Sequence, residues 1–126
     1  KLVYAYANST VPQVNVVTGK ALGSAYVVMN SRAVGADVTI CWPDAEIGTM
    51  EADMAAKIIC DGKNAEETAA YADEYAKLQN SATSAARRGY VDEIVEPADT
   101  RKYVIGAFEM LFTKREERPA KKHGTV

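Results

Sequence analysis

The sequence predicts an α/β fold of short parallel strands flanked by helices. Three observations carry that expectation. Alternating, Val-rich stretches recur at Gln13–Thr18, Asp37–Trp42 and Tyr90–Val95. Segments of helical period lie between them, and Gly or Pro stands at most of the joints. Strands that alternate with helices favour parallel pairing, because a helix returns the chain to start the next strand in the same direction.

Taken in order, Leu2–Asn8 reads as the end of a helix, broken by Ser9-Thr10-Val11-Pro12. Gln13–Thr18 alternates polar and apolar residues and reads as the first strand. Gly19 and Gly23 punctuate the turn that follows, and Ser24–Ala33 suits a short two-faced helix closed by Gly35. Asp37–Trp42 is the second strand, stopped by Pro43-Asp44, with Ala45-Glu46-Ile47-Gly48 as a short extended piece. Glu51–Cys60 places Met54, Ala55, Ile58 and Ile59 on one side of a helix that Asp61-Gly62 ends. Asn64 caps the next helix, Ala65–Gln79, whose first turn carries Glu66 and Glu67 against the positive end of the helix dipole. Ser84–Arg88 is a short helix ended by Gly89, and Tyr90–Val95 is the third strand. Pro97 opens the last helix, about Ala98–Lys114, with a stripe of Val104, Ile105, Phe108, Leu111 and Phe112.

Three short strands make a thin sheet, and a parallel sheet wants both faces covered and both edges managed. The chain also opens in what reads as mid-helix. The expectation is therefore that upstream sequence, or another chain, completes the sheet.

Bulk properties narrow the function. With 126 residues the chain is at most one domain. Its hydrophobic content of 48% and charged content of 25% are ordinary for a globular protein. A net charge of -2 argues against general affinity for nucleic acid or an anionic membrane. No apolar run approaches a bilayer span, and the opening Lys-Leu-Val-Tyr-Ala-Tyr-Ala does not read as a signal peptide, so the expected location is the cytoplasm. Cys41 and Cys60 belong to no Cys-x-x-Cys pair and His123 is the single histidine. They read as two buried thiols and a tail residue rather than a metal site.

The stretch Val16-Val17-Thr18-Gly19-Lys20-Ala21-Leu22-Gly23-Ser24-Ala25-Tyr26 carries the chemistry. A strand runs through small residues into a helix start. Small side chains admit close approach to the backbone, and a helix start exposes N–H groups to negative charge. That arrangement suits an anion or a developing oxyanion, and equally a simple helix-on-strand packing joint.

Gly19-Lys20-Ala21-Leu22-Gly23-Ser24-Ala25 resembles the glycine-rich oxyanion loop of the crotonase superfamily. Within it, the chain is most similar to biotin-dependent acyl-CoA carboxyltransferases of the propionyl-CoA carboxylase beta and methylmalonyl-CoA decarboxylase alpha type. The matching blocks are Ala21–Asn30, Trp42-Pro43-Asp44-Ala45-Glu46-Ile47, Gly89–Pro97 with Thr100-Arg101, and Pro119-Ala120-Lys121-Lys122-His123-Gly124, all in the family's order. The resemblance implies a partial crotonase (ClpP-like) fold. Residues 1–115 would be the C-terminal portion of a carboxyltransferase domain and residues 116–126 a basic tail. It implies that this half supplies the biotin side of a site completed by an N-terminal half that holds the acyl-CoA, across a subunit interface.

Residue by residue, the resemblance implies that the backbone N–H groups of Ser24 and Ala25 donate to the ureido oxygen of biotin, with Gly23 giving the turn and Tyr26 and Val27 lining the substrate pocket. Ser24 departs from the family's usual glycine, which a backbone donor tolerates. Val27 stands one residue after Tyr26, where hydratases of the superfamily keep a glutamate. Valine moves no protons, so hydratase chemistry is disfavoured and a short acyl chain is favoured. Met50 is followed by Glu51-Ala52-Asp53-Met54 where the family shows a glycine-containing segment. Glu46 and Tyr26 also have plain structural readings, and the basic tail reads as solvated or as a subunit contact, with CoA phosphates or an acidic partner as alternatives.

The expected function is carboxyl transfer between biotin on a biotin carboxyl carrier protein and a short-chain acyl-CoA, within a homo-oligomer. The expected cofactor is biotin and the expected substrate a CoA thioester, with no metal, no nucleic acid and no direct membrane insertion. The alternative is a non-catalytic fragment or assembly module of a methylmalonyl-CoA decarboxylase-type complex. The isolated chain is expected to be inactive.

Overall fold

The computed structural model describes residues 1–119. The tail residues Lys121, Lys122 and His123 lie outside the described residues. The elements run α1 (Leu2–Asn8), β1 (Val14–Val17), β2 (Lys20–Leu22), α2 (Gly23–Val28), β3 (Val38–Cys41), β4 (Glu46–Gly48), α3 (Ala52–Ile59), α4 (Ala65–Tyr75), α5 (Ala82–Arg87), β5 (Glu93–Ile94) and α6 (Thr100–Met110). A π turn, Ala76–Asn80, joins α4 to α5, and a 3-10 turn, Pro97–Asp99, leads into α6.

All strand pairing in the two sheets is parallel. In the larger sheet β3 lies between β1 and β5, with Val14 opposite Val38, Val17 opposite Cys41 and Cys41 opposite Ile94. The smaller sheet pairs β2 with β4, Lys20 opposite Glu46 and Leu22 opposite Gly48. The Gly19–Gly23 turn expected from sequence is therefore mostly a strand. Three residues, Lys20-Ala21-Leu22, are too few to show a period of two, and their pairing with β4 decides their conformation. Val17, Cys41, Ala45, Ile47, Ala82, Ala85 and Val91 form the core where the two sheets and α5 meet. Cys41 and Cys60 are buried free thiols.

Two helices stop earlier than their periodicity predicts. The expected helix over 24–33 ends at Val28, since Asn30 takes a left-handed φ of 60° and Ser31 starts a turn whose carbonyl accepts from Val34 and Gly35. Asn tolerates that conformation, and the Asn15 side chain holds it by donating to the Asn30 carbonyl at 3.0 Å. The last helix ends at Met110 and turns once more, so that Lys114 reaches Asp37. The predicted α6 stripe is helical but largely bare. Ile105 and Phe108 are each 46% exposed and Phe112 is 78% exposed, while Ala107 alone in α6 is buried. Periodicity located a face, but no element among the described residues covers it. Among these residues no helix is long and apolar enough to cross a membrane.

Local caps follow the sequence more closely. The Asn64 side chain accepts from the Glu67 N–H at 2.8 Å, and the Ser81 hydroxyl accepts from the Ser84 N–H at 3.2 Å. Asp92 ties the strand edge together, because its carboxylate accepts the Thr39 N–H at 2.8 Å while its own N–H donates to the Thr39 carbonyl.

Candidate functional site

The site is built where β2 becomes α2. The Gly19 carbonyl accepts the Glu46 N–H at 3.2 Å, which registers β2 against β4. The chain then reverses at Gly23, whose φ of +66° is open to glycine and strained for other residues. A Cβ at Gly23 would stand 3.2 Å from the Thr49 carbonyl oxygen, so the β4–α3 loop backs directly onto the turn. Ser24 and Ala25 follow in the first turn of α2, both exposed. No side chain caps this helix. The carbonyls four residues before Ser24 and Ala25 belong to β2, upstream of the helix start. A left-handed residue followed by helix points successive N–H groups into one concavity, a nest that suits an anionic oxygen.

Two hollows flank α2. An open groove of about 550 Å³ runs beside Thr18, Lys20, Ala25, Tyr26, Met29 and Glu51. Its rim carries an ion pair, Lys20 Nζ to Glu51 Oε1 at 3.2 Å. That hydrogen bond and the Glu51 and Glu46 charges raise the Lys20 pKa above its ordinary value and keep the ammonium charged. The second hollow, about 210 Å³, lies on the other side and is lined by Tyr26, Val27, Gly48, Asn80, Arg88 and Tyr90 among others. Burial, with Tyr90 and Cys41 nearby, pushes the Tyr26 phenol above its usual range, so it stays neutral. Its Oη is buried without a protein hydrogen-bond partner, as is Asn80 Oδ1.

Of the residues singled out from sequence, Tyr26 and Val27 share the smaller hollow, and Ala25 and Tyr26 the groove. Gly23 and Ser24 line neither, standing at the corner that joins β2 to α2. Glu46 sits in β4, half-buried and paired with Lys20 along the ladder. Glu51 and Asp53 stand at the N-cap and in the first turn of α3, where negative charge is favoured. Lys114 does not trail into solvent: its Nζ bonds both oxygens of Asp37 at 2.8 and 2.9 Å. Arg118 bonds Glu116 and the Ala7 carbonyl.

Sequence reading missed Asn80, Thr49, Arg88 and Tyr90. The Arg88 guanidinium donates to Gln79 Oε1 on the cavity wall. Asn80 is 1% exposed and donates through Nδ2 to the Met50 carbonyl at 3.0 Å. Nothing near it in sequence marks its role, which depends on Gly48 in another part of the chain, whose missing side chain leaves room for the Asn80 amide.

Comparison with known proteins agrees with this architecture. The chain is 46% identical, over its whole length, to the methylmalonyl-CoA decarboxylase alpha subunit of Propionigenium modestum, and covers 26% of that protein. It is 45% identical over 98% of its length to the methylmalonyl-CoA carboxyltransferase 12S subunit of Propionibacterium freudenreichii subsp. shermanii, covering 25% of it. The chain thus spans about a quarter of the length of these relatives. Among solved structures, transcarboxylase 12S, a hexamer with methylmalonyl-CoA and methylmalonic acid bound, superposes with a TM-score of 0.92 at 45% identity, over 98% of this chain and 24% of that one. The fold is the crotonase-like α/β fold of the carboxyltransferases, as the loop and block order predicted. Residues 1–126 match the carboxyl transferase domain throughout, and the chain belongs to that family.

Proposed function

We propose that this segment forms the biotin-side oxyanion turn of a carboxyltransferase that moves a carboxyl group between biotin and a short-chain acyl-CoA. The observation that carries the reading is the turn itself. Left-handed Gly23 leads into α2, whose first turn holds the exposed residues Ser24 and Ala25 with no side-chain cap. A ureido oxygen would suit such a place, because a helix start offers main-chain N–H groups and the side chains of Ser24 and Ala25 are small. Biotin, presented by a biotin carboxyl carrier protein, supplies the transferable carboxyl group. This chain's part would be electrostatic: the Ser24 and Ala25 N–H groups would donate to that oxygen and stabilise negative charge on it. Loss of one such donor typically costs about 3–4 kcal/mol of transition-state stabilisation.

Gly23 sets the direction of the amides, and Tyr26 and Val27 wall the smaller hollow and limit acyl size. An N-terminal carboxyltransferase half supplies the acyl-CoA side. The bare α6 face and the open edges of the larger sheet support completion by that half and by further subunits. The reading places the assembly in the cytoplasm, with no part of this chain inserted in a membrane.

The test is carboxyl transfer from carboxybiotin to propionyl-CoA, with this chain alone and then co-expressed with the N-terminal half. Activity in the pair and none in the chain alone is expected. A correctly assembled pair without transfer would sink the reading. It would instead favour an assembly module of a methylmalonyl-CoA decarboxylase-type complex, the second reading that the uncovered α6 face supports.

A further inference from the structure

We propose that Asn80 is a positioning residue for the oxyanion turn, acting through the β4–α3 loop; this rests on the reading of Ser24 and Ala25 given above. The connection is short. Asn80 closes the π turn after α4 and is 1% exposed. A π turn adds a residue to the helical ring, and such turns occur often where a side chain must be redirected toward a functional site. Here the Asn80 amide lies against Gly48 at the end of β4. A Cβ built on Gly48 would stand 2.3 Å from Asn80 Oδ1 and 3.1 Å from its Cγ, so a side chain at position 48 would displace the Asn80 amide. Two residues further on, Met50 offers its carbonyl to Asn80 Nδ2 at 3.0 Å.

Asn80 therefore holds the chain on both sides of Thr49. Thr49 is the residue whose carbonyl lies against Gly23, at 3.2 Å from where a Cβ would be. The path runs from Asn80 to the Gly48–Met50 segment, to the Thr49 carbonyl, to the left-handed Gly23, and so to the two amides. The base of this path is itself fixed. Ser81, the next residue, bridges to Glu46 at the start of β4, and its hydroxyl caps α5. Asn80 also walls the hollow that contains Tyr26 and Val27. At 1% exposure it presents little surface to that hollow, so its main contact is with the back of the turn.

A purely structural asparagine would stabilise the fold everywhere it touches. A positioning residue alters rate while leaving binding and the rest of the fold in place. Asn80→Ala and the near-isosteric Asn80→Asp, in the co-expressed pair, separate these roles. A small misplacement of catalytic groups by a remote change can cost about 100-fold in rate. Expected here is a kcat lowered at least about 10-fold in both variants with the acyl-CoA KM within about 3-fold of wild type. Amide hydrogen exchange across residues 22–26 should also quicken while β3, at 38–41, stays as protected as before. Unchanged kcat in both variants overturns the proposal and leaves the carboxyltransferase reading standing. If the wild-type pair transfers no carboxyl group, that reading fails on its own. Exchange then reads the packing link by itself: a local change at 22–26 shows that Asn80 holds the turn, and a uniform change or none overturns the proposal whatever the turn does.

Discussion

Lys114 Nζ lies 2.8 Å from Asp37 Oδ1 and 2.9 Å from Oδ2, and so ties the turn after α6 to the start of β3. Asp37 Oδ2 also accepts the Gln13 N–H at 2.8 Å, which joins β1 to the same anchor. Both side chains are mostly enclosed, at 19% and 16% exposure. Burial alone would raise the Asp37 pKa, but the Lys114 ammonium and the Gln13 N–H outweigh it, and the net shift is downward. A carboxyl whose pKa is lower folded than unfolded contributes stability above its unfolded value, about 3.9, and loses it as pH falls through the folded value. Lys114→Ala should therefore destabilise by about 1–2 kcal/mol at pH 7, less than a fully buried pair would show. Urea unfolding of wild type and variant between pH 7 and pH 2.5 checks this. The difference should shrink only below about pH 4. A constant gap would mean that Lys114 acts through packing and its hydrogen bond to the Val11 carbonyl at 3.3 Å instead.

Trp42 Nε1 donates to Thr100 Oγ1 at 2.9 Å, which links the end of β3 to the first turn of α6. Thr100→Val removes the acceptor while keeping the shape. A half-buried indole N–H left unpaired should cost about 1–2 kcal/mol. Trp42 is the single tryptophan, so its emission reports on this joint directly. A red shift with a lowered unfolding midpoint is the expected result, and unchanged emission would show that α6 is held elsewhere.

Val27 should act on substrate size rather than on protons. It lies 44% exposed on the wall of a hollow of about 210 Å³ that Tyr90 and Gly48 also line. In the co-expressed pair, Val27→Phe should lower kcat/KM for a longer acyl-CoA more than for propionyl-CoA, by roughly 1–3 kcal/mol in the comparison. Equal losses for both substrates would remove Val27 from the acyl pocket. Val27→Glu should gain no hydration of a crotonyl ester, because a carboxyl needs a positioned water and substrate as well as an acid.

How much of this was readable follows from the range of the interactions. β1 and β3 were legible because Val, Ile and Thr alternate within a few residues, and the Asn64 cap because a cap acts within one turn. β2 was not, since Lys20-Ala21-Leu22 owes its form to Glu46-Ile47-Gly48 in another part of the chain. The same limit hid Asn80, whose meaning depends on Gly48 having no side chain. The α6 stripe was legible as a period, yet Phe108 and Phe112 find no cover here, because periodicity reveals a face and never its partner. At the site, Tyr26 and Val27 line one hollow, as neighbours in sequence can, whereas the corner position of Gly23 and Ser24 depends on the Thr49 carbonyl behind them.

Gly23 offers the sharpest test of the turn. Any L-residue there must hold a φ near +66°, at a cost of about 1–2 kcal/mol, and its Cβ must also settle against the Thr49 oxygen. Gly23→Ala leaves the backbone two exits: stay strained, or rotate and carry the Ser24 and Ala25 amides out of line. Rotation relieves strain and contact together, so it should prevail, and kcat should fall by 10-fold or more with only a modest loss of stability. Ser24→Gly, which changes no amide direction, should leave kcat within about 3-fold, since the donor is main chain. Parallel kinetics and thermal unfolding of the two variants in the co-expressed pair read this out. A Gly23→Ala protein that keeps full kcat while losing stability would show that the turn is a packing joint and that its amides take no part in transfer.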